Sequence, residues 1–346
     1  MSHKWLLIET LGPQPAVVAV GLQTKNFVPI TVFFRRNPNL ADLCGAITHT
    51  VRGRSGLALS TVGGSRVIYT EPVVMTDDRV HGVQLWFGPA DTELPERPAP
   101  GAYVVDLNLG ESAVTPQFLI NLGKDPAVEP LAGRSMADDI PAGAFNVGEA
   151  QLLSWTVDFV SGRTFAANWG FRDGQGLHRR VGFCVRGGRE ATSDGAEHLI
   201  ARSMNLFESV GAGPPSTYQL AQRLIDAMAR PGHYRAIIDL NTWTLIKWVD
   251  GPCPLYDWRA RAQMHPDDAE RLAAQMVEEL AFDQTSAVLR LPARGGGWTP
   301  IHVTINRIEL DVGVFAGLAT LRLPTDEEGA ATTGSARQCP GPNHSS

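Results

Sequence analysis

The chain has 346 residues, a net charge of −6 and 43% hydrophobic residues, enough for two or three folded domains at about 100–200 residues each. The mild acidity argues against a general nucleic-acid binder, which needs clustered Lys and Arg to neutralise phosphates. No apolar run approaches the ~18 residues that span a bilayer, so no membrane insertion is expected. The 35 glycines and 24 prolines exceed the usual share of about 12% but stay below the ~25–30% of disordered chains, which predicts a folded, turn-rich protein. Glu9 interrupts the short apolar run at 5–8, so the N-terminus does not read as a secretory signal. Cys44, Cys184, Cys253 and Cys339 lie far apart with no Cys-x-x-Cys. That spacing speaks against a zinc or redox site and fits a reducing cytoplasm.

Two composition breaks divide the chain. Residues 88–101 hold four prolines and read as a linker. Gly211-Ala-Gly-Pro-Pro215 is the second break, and the polar, small residues from 324 to 346 read as a disordered tail. The predicted domains are therefore 1–87, 102–210 and 211–323. In the first, strands are expected at 5–10, 16–22 and 28–34. A helix from Asn39 with Leu40, Leu43, Cys44, Ile47 and Val51 on one face follows, then strands at 57–62, 66–75 and 82–87. The second block opens with a strand at 102–109 and a helix at 115–122. The segments 152–160 and 163–171 read as a hairpin around Ser161-Gly162, and 179–185 as a third strand. Asp194 and Glu197 are spaced as a capping box, which with Leu199, Ile200, Met204, Phe207 and Val210 predicts a helix over 194–210.

The third block opens with a capped helix at 216–230, starting Ser216-x-x-Gln219 and stopping at Pro231-Gly232. This helix and the preceding one are expected to form a connector, by default a static spacer, with a signal-transmitting element or a homodimer contact as the alternatives. Strands are expected at 234–240 and 244–249. His265-Pro266-Asp267-Asp268 then opens a helix. Proline at the first helical position has its φ pre-set, and two carboxylates meet the positive end of the helix dipole. Leu272, Ala273, Met276, Val277 and Leu280 form its apolar face, and strands at 286–291, 298–310 and 314–323 close the block, with a bulge expected near Asn306-Arg307.

From Tyr234-Arg-Ala-Ile-Ile-Asp-Leu and Thr244-Leu-Ile-Lys-Trp through the His-Pro-Asp-Asp turn, helix and three-stranded meander, residues 230–323 resemble a PAS domain. The first block resembles a divergent PAS domain, and the middle one a GAF or a further PAS domain. The whole chain is similar to actinobacterial PAS–GAF–PAS tandems. The fold class expected is α+β: three tandem modules, each an antiparallel sheet flanked by helices. The resemblance implies a non-enzymatic sensory adaptor that binds a small molecule or a protein partner. The alternatives are a structural scaffold without ligand and an enzyme whose site assembles from distant residues.

Chemical motifs point the same way. There is no phosphate-cradling Gly-x-x-x-x-Gly-Lys-Ser/Thr and no Gly-x-Ser-x-Gly; Ser135 in Gly-Arg-Ser-Met-Ala comes nearest and lacks the preceding strand. Asp77-Asp78 and Asp138-Asp139 point apart as sequence neighbours and read as turn or cap residues. His49 lies on the first helix, where haem-binding PAS domains carry their ligand, but reads as a surface residue. No catalytic residue, metal site or cofactor is assigned. The candidate ligand-pocket residues are Trp243, Trp248, Trp258 and Trp298, which could instead serve sheet packing.

Overall fold

In the computed structural model, which describes residues 4–61, 64–192, 195–210, 223–279 and 284–328, the apolar runs become strands of three antiparallel sheets. The chain divides into two compact units. One holds the described residues of Met1–Arg134 and Ala144–Leu220, the other those of Ser135–Gly143 and Ala221–Ser346.

The first sheet is built from β1 (Leu6–Glu9), β2 (Ala16–Val20), β3 (Gln23–Pro29), β4 (Leu57–Ser60), β5 (Arg66–Val74) and β6 (Val80–Pro89), in the order β3-β2-β1-β6-β5-β4. The predicted order of strands, helix, then three strands holds, with one change. The run at 28–34 does not stay extended: after Pro29 it folds into the one-turn helix α1 (Ile30–Phe33). The longer α2 (Leu40–Gly53) lays Leu43, Ala46 and Ile47 on Leu6, Ile8, Ile68, Val83 and Leu85, as its three/four spacing requires.

The second sheet runs β10-β11-β12-β7-β8-β9. Its strands are β7 (Gly101–Asp106), β8 (Glu111–Val114), β9 (Arg134–Ser135), β10 (Thr164–Arg172), β11 (His178–Ala191) and β12 (Glu197–Val210). The predicted helix at 115–122 forms as α3 (Pro116–Asn121), with Pro116 at its start. It sits flush on β7 because Gly101 has no side chain: a Cβ there would lie 2.2 Å from Phe118 Cα.

Two expectations for this block are corrected. The helix predicted over 194–210 is the strand β12, paired with β11 from Ala191↔Glu197 to Arg179↔Val210 and with β7 on its other edge. Ala201 through Leu206 are all buried, and a strand covered on both faces loses the alternation that would mark it as a strand. The predicted hairpin at 152–171 does not form either. Residues Glu149–Val157 are a helix, here α5, and β10 pairs with β11 instead. The connector predicted at 216–230 lies partly outside the described residues.

The two sheets of this unit share a core. Leu7, Val18, Ala19, Val73 and Met75 of the first meet Ala102, Cys184, Met204 and Leu206 of the second. The proline-rich segment 88–101 is accordingly a pinned strap. Trp5 Nε1 donates to Pro95 O (3.0 Å), Gln84 Nε2 to Pro98 O (2.6 Å) and Asn121 Nδ2 to Ala99 O (3.0 Å).

The second unit contains the five-stranded antiparallel sheet β14-β13-β17-β16-β15, with β13 (Tyr234–Ile238), β14 (Leu245–Trp248), β15 (Gln284–Pro292), β16 (Trp298–Asp311) and β17 (Val314–Arg322). This matches the expected strands. The bulge sits at Glu309/Asp311 rather than near Asn306-Arg307. The short helix α4 (Met136–Asp139) packs in this unit, and the predicted acidic-capped helix is α6 (Pro266–Glu279). Leu272 of α6 is buried; the side chains of Ala273, Met276, Val277 and Leu280 lie outside the described residues. Glu328 does not read as a free tail residue: both its oxygens accept from Arg322, at 2.8 Å each.

Candidate functional site

The His-Pro-Asp-Asp turn is a structural fastener. His265 N donates to Arg290 O (2.8 Å), and Asp268 accepts from Arg290 N (2.7 Å) and Nε (3.0 Å), tying the start of α6 to β15. Burial alone would raise the Asp268 carboxyl, but Arg290 holds it below the usual carboxylate range. Asp267 reaches the same guanidinium at 3.1 Å. Pro266 occupies the first helical position.

The four tryptophans do not converge on one pocket. Trp248 is wholly buried among Trp258 (centroids 5.6 Å) and Tyr256 (6.4 Å). Trp258 Nε1 donates to Asp138 at 3.1 Å. Trp298 lies against the His265 ring (5.1 Å) and is 39% exposed. Trp243 lines a cavity, beside Tyr256, Met264 and Leu289, and that cavity is about 50 Å³. Small-molecule sites occupy about 300–1,000 Å³, so this space belongs to a packed core.

The remaining motif residues are accounted for. Ser135 Oγ accepts from Ala137 N (3.3 Å) and Asp138 accepts from Ser135 N (3.0 Å), a capping arrangement on α4. His49 is exposed on α2. Cys184 is buried, which pushes its thiol up to about 12, far from a reactive thiolate.

One charged cluster in the first unit was invisible in sequence. Arg202 of β12 gives Nε and Nη2 to Glu190 (2.8 and 2.9 Å) and Nη2 to Asp77 (2.8 Å). Its Nη1 lies 3.0 Å from His81 Nε2, while His81 Nδ1 lies 3.2 Å from Ser203 O. A carbonyl can only accept, so Nδ1 carries the proton and Nε2 accepts from the guanidinium. Burial, then Arg202, pushes His81 down to about 4. Between that value and about 6.5 the unfolded chain binds a proton that the folded chain refuses. Stability is therefore lost as pH falls through this window, by about 3 kcal/mol in total. In urea titrations at pH 7 and pH 4, His81→Asn is expected to shrink the acid loss by about that amount; an unchanged difference would contradict it. Every polar group in this cluster is engaged, so it holds strands together.

An opening with unspent charge lies at one end of the first sheet. It is a cleft of about 820 Å³. Lys4 precedes β1, Arg66 begins β5, and Arg35 and Arg36 follow α1; all four side chains line it. The described residues give none of these cations an ion pair, and no acid is among the lining residues. Aromatic rings form its wall: Phe33 meets Phe34 (5.0 Å), Phe34 meets Phe87 (6.5 Å), and Arg66 lies over Phe87 (5.0 Å). Asp42, in the first turn of α2, is engaged with Asn39 Nδ2 at 3.4 Å. A second cleft of about 580 Å³, beside Trp5 and Tyr69, already pairs its base and acid, Arg97 and Glu71 (3.4 Å). The only sequence signal for the basic cleft was Phe33-Phe34-Arg35-Arg36, which reads as a strand end until Lys4 and Arg66 are brought beside it.

No helix among the described residues is long and apolar enough to cross a membrane. Among them no group of three His, Cys, Asp or Glu side chains converges as a metal site would.

Comparison with known proteins corrects the family expectation. Residues 4–96, 99–207 and 218–332 match the N-terminal, middle and C-terminal domains of the Rv3651-like family. The three-part division stands, but the modules are these domains and not the PAS, GAF and PAS domains that the resemblance implied. No curated protein matches the chain. Two distant structures, a sensory box histidine kinase/response regulator from Burkholderia thailandensis (15% identity, 31% of this chain and 76% of that chain, TM-score 0.23) and an RNA-binding light-oxygen-voltage receptor (8%, 69% and 100%, TM-score 0.25), are too dissimilar to carry an argument. A crystal structure of an uncharacterized protein from Mycobacterium tuberculosis is 46% identical, covers 96% of this chain and 99% of its own, and has a TM-score of 0.87. With three consecutive domain matches and a relative of that identity along nearly its whole length, the chain belongs to the Rv3651-like family.

Proposed function

We propose that this chain is a non-catalytic binding adaptor of the cytoplasm. In this reading the cleft beside α1 captures a ligand with an anionic head and an apolar or aromatic body. The observation that carries the reading is the set Lys4, Arg35, Arg36 and Arg66. Four cations without an ion pair among the described residues line one cleft beside an aromatic wall, in a chain of net charge −6. An anion supplies the missing charge, and a guanidinium already stacked on Phe87 is set to clamp it. The other large charged cluster, around Arg202, is internally satisfied and offers nothing to a substrate.

Thermal unfolding with octyl phosphate or phenyl phosphate tests this. Ligand at about ten times its Kd stabilises the folded chain by about 1.4 kcal/mol, a rise of a few degrees in Tm. Arg35→Glu/Arg36→Glu, at two exposed positions, is expected to abolish the rise and leave the unliganded Tm within about a degree. No shift in the wild-type chain with either probe would favour a scaffold without ligand.

A further inference from the structure

We propose that the same cleft docks the N-terminal module onto an anionic phospholipid surface, an inference that rests on the cleft being the ligand site. Three apolar side chains stand out beside the cations. Val32 and Phe33 of α1 are 54% and 38% exposed and immediately precede Phe34, Arg35 and Arg36. Leu22, 42% exposed, follows Gly21, where an added Cβ would lie 3.2 Å from Lys4 Cδ.

This arrangement suits a membrane better than an enclosed metabolite. Small-molecule sites bury about 70–90% of their ligand. Here the lining residues Phe33, Arg35 and Arg36 are all exposed, which leaves the cleft open on that side. A lipid surface needs no closure. Phosphates meet the cations at headgroup level, and Leu22, Val32 and Phe33 enter the boundary with the acyl chains, as in other interfacial anchors. The chain's net charge of −6 opposes binding to such a surface as a whole, so the attraction must come from a local basic group such as this one. The contact is peripheral, in keeping with the lack of a membrane-spanning helix among the described residues.

The test is co-sedimentation of the full chain with phosphatidylcholine vesicles made with and without phosphatidylglycerol. Binding is expected only to the anionic vesicles and is expected to fall as salt rises. Arg35→Gln/Arg36→Gln is expected to lower the partition coefficient about 30-fold, since each basic residue near such a surface contributes about 1 kcal/mol. Phe33→Ser is expected to weaken binding without changing its salt dependence. All these side chains are exposed, and unchanged thermal unfolding in the absence of vesicles checks that the variants fold. If the wild-type chain ignores anionic vesicles while octyl phosphate still raises its Tm, the lipid inference is overturned and the binding reading survives. If neither occurs, both fall. Vesicle binding that is indifferent to the Arg35/Arg36 and Phe33 variants would likewise overturn the assignment of this face.

Discussion

Arg186→Met is expected to lower the unfolding free energy by about 3–5 kcal/mol. Arg186 of β11 gives Nε to Glu9 Oε1 (2.7 Å) and Nη2 to Oε2 (2.9 Å). Glu9 lies on β1, and its side chain is 2% exposed. Methionine keeps much of the packing beside Phe27, over which the guanidinium now lies at 5.3 Å, but it removes both donors. Among the described residues Glu9 is then left with only the amide of Leu11, at 3.0 Å. An enclosed carboxylate with one neutral donor must either stay charged at high cost or take up a proton. The double variant Glu9→Leu/Arg186→Met is expected to recover most of the loss, because replacing both partners of a buried pair with apolar groups is often neutral. Urea unfolding of the four proteins of this cycle checks it. A single-variant loss below about 1 kcal/mol would mean that the pair behaves as a solvated surface bridge.

Trp248→Ala carries the second large effect, a loss of about 3–5 kcal/mol in the unit that contains the five-stranded sheet. Trp248 is wholly buried, and its ring touches Tyr256 and Trp258. Truncation forfeits its transfer energy and leaves a cavity that these two rings fill only in part. Among the described residues its Nε1 has no hydrogen-bond partner, so an unsatisfied donor weighs against the native state. Trp248→Phe removes that donor and keeps an aromatic ring, and is expected to cost about 1 kcal/mol. Hydrogen exchange at the amides of β13 and β14 reads both variants. Equal protection in wild type and Trp248→Ala would refute a core role and reopen the cleft-lining role considered from the sequence.

The C-terminal sheet shows how local signals become legible. Pro266 with Asp267 and Asp268 fixed the start of α6 because each acts within one helical turn. The alternation of Ile301, Val303 and Ile305 with His302, Thr304 and Asn306 marked β16 because that strand has one core face and one wetter face. By contrast, β12 carries the helical spacing Leu199, Ile200, Met204 and Phe207 and is still a strand. Pairing with β11 and β7 on both edges, and burial on both faces, outweigh a pattern that either structure can satisfy.

The sequence by itself determined the three-part division, the strand-rich character of each part and the proline-marked starts of α3 and α6, since these depend on neighbours a few residues apart. Only the tertiary structure decided which charges are spent and which remain available. Glu9 and Arg186 lie 177 residues apart and neutralise each other. Lys4, the Arg35-Arg36 pair and Arg66 come from three separate segments and line one cleft with no acid among its described lining residues. Charge pairing is a matter of distance in space, and the chain order of these residues carries no trace of it.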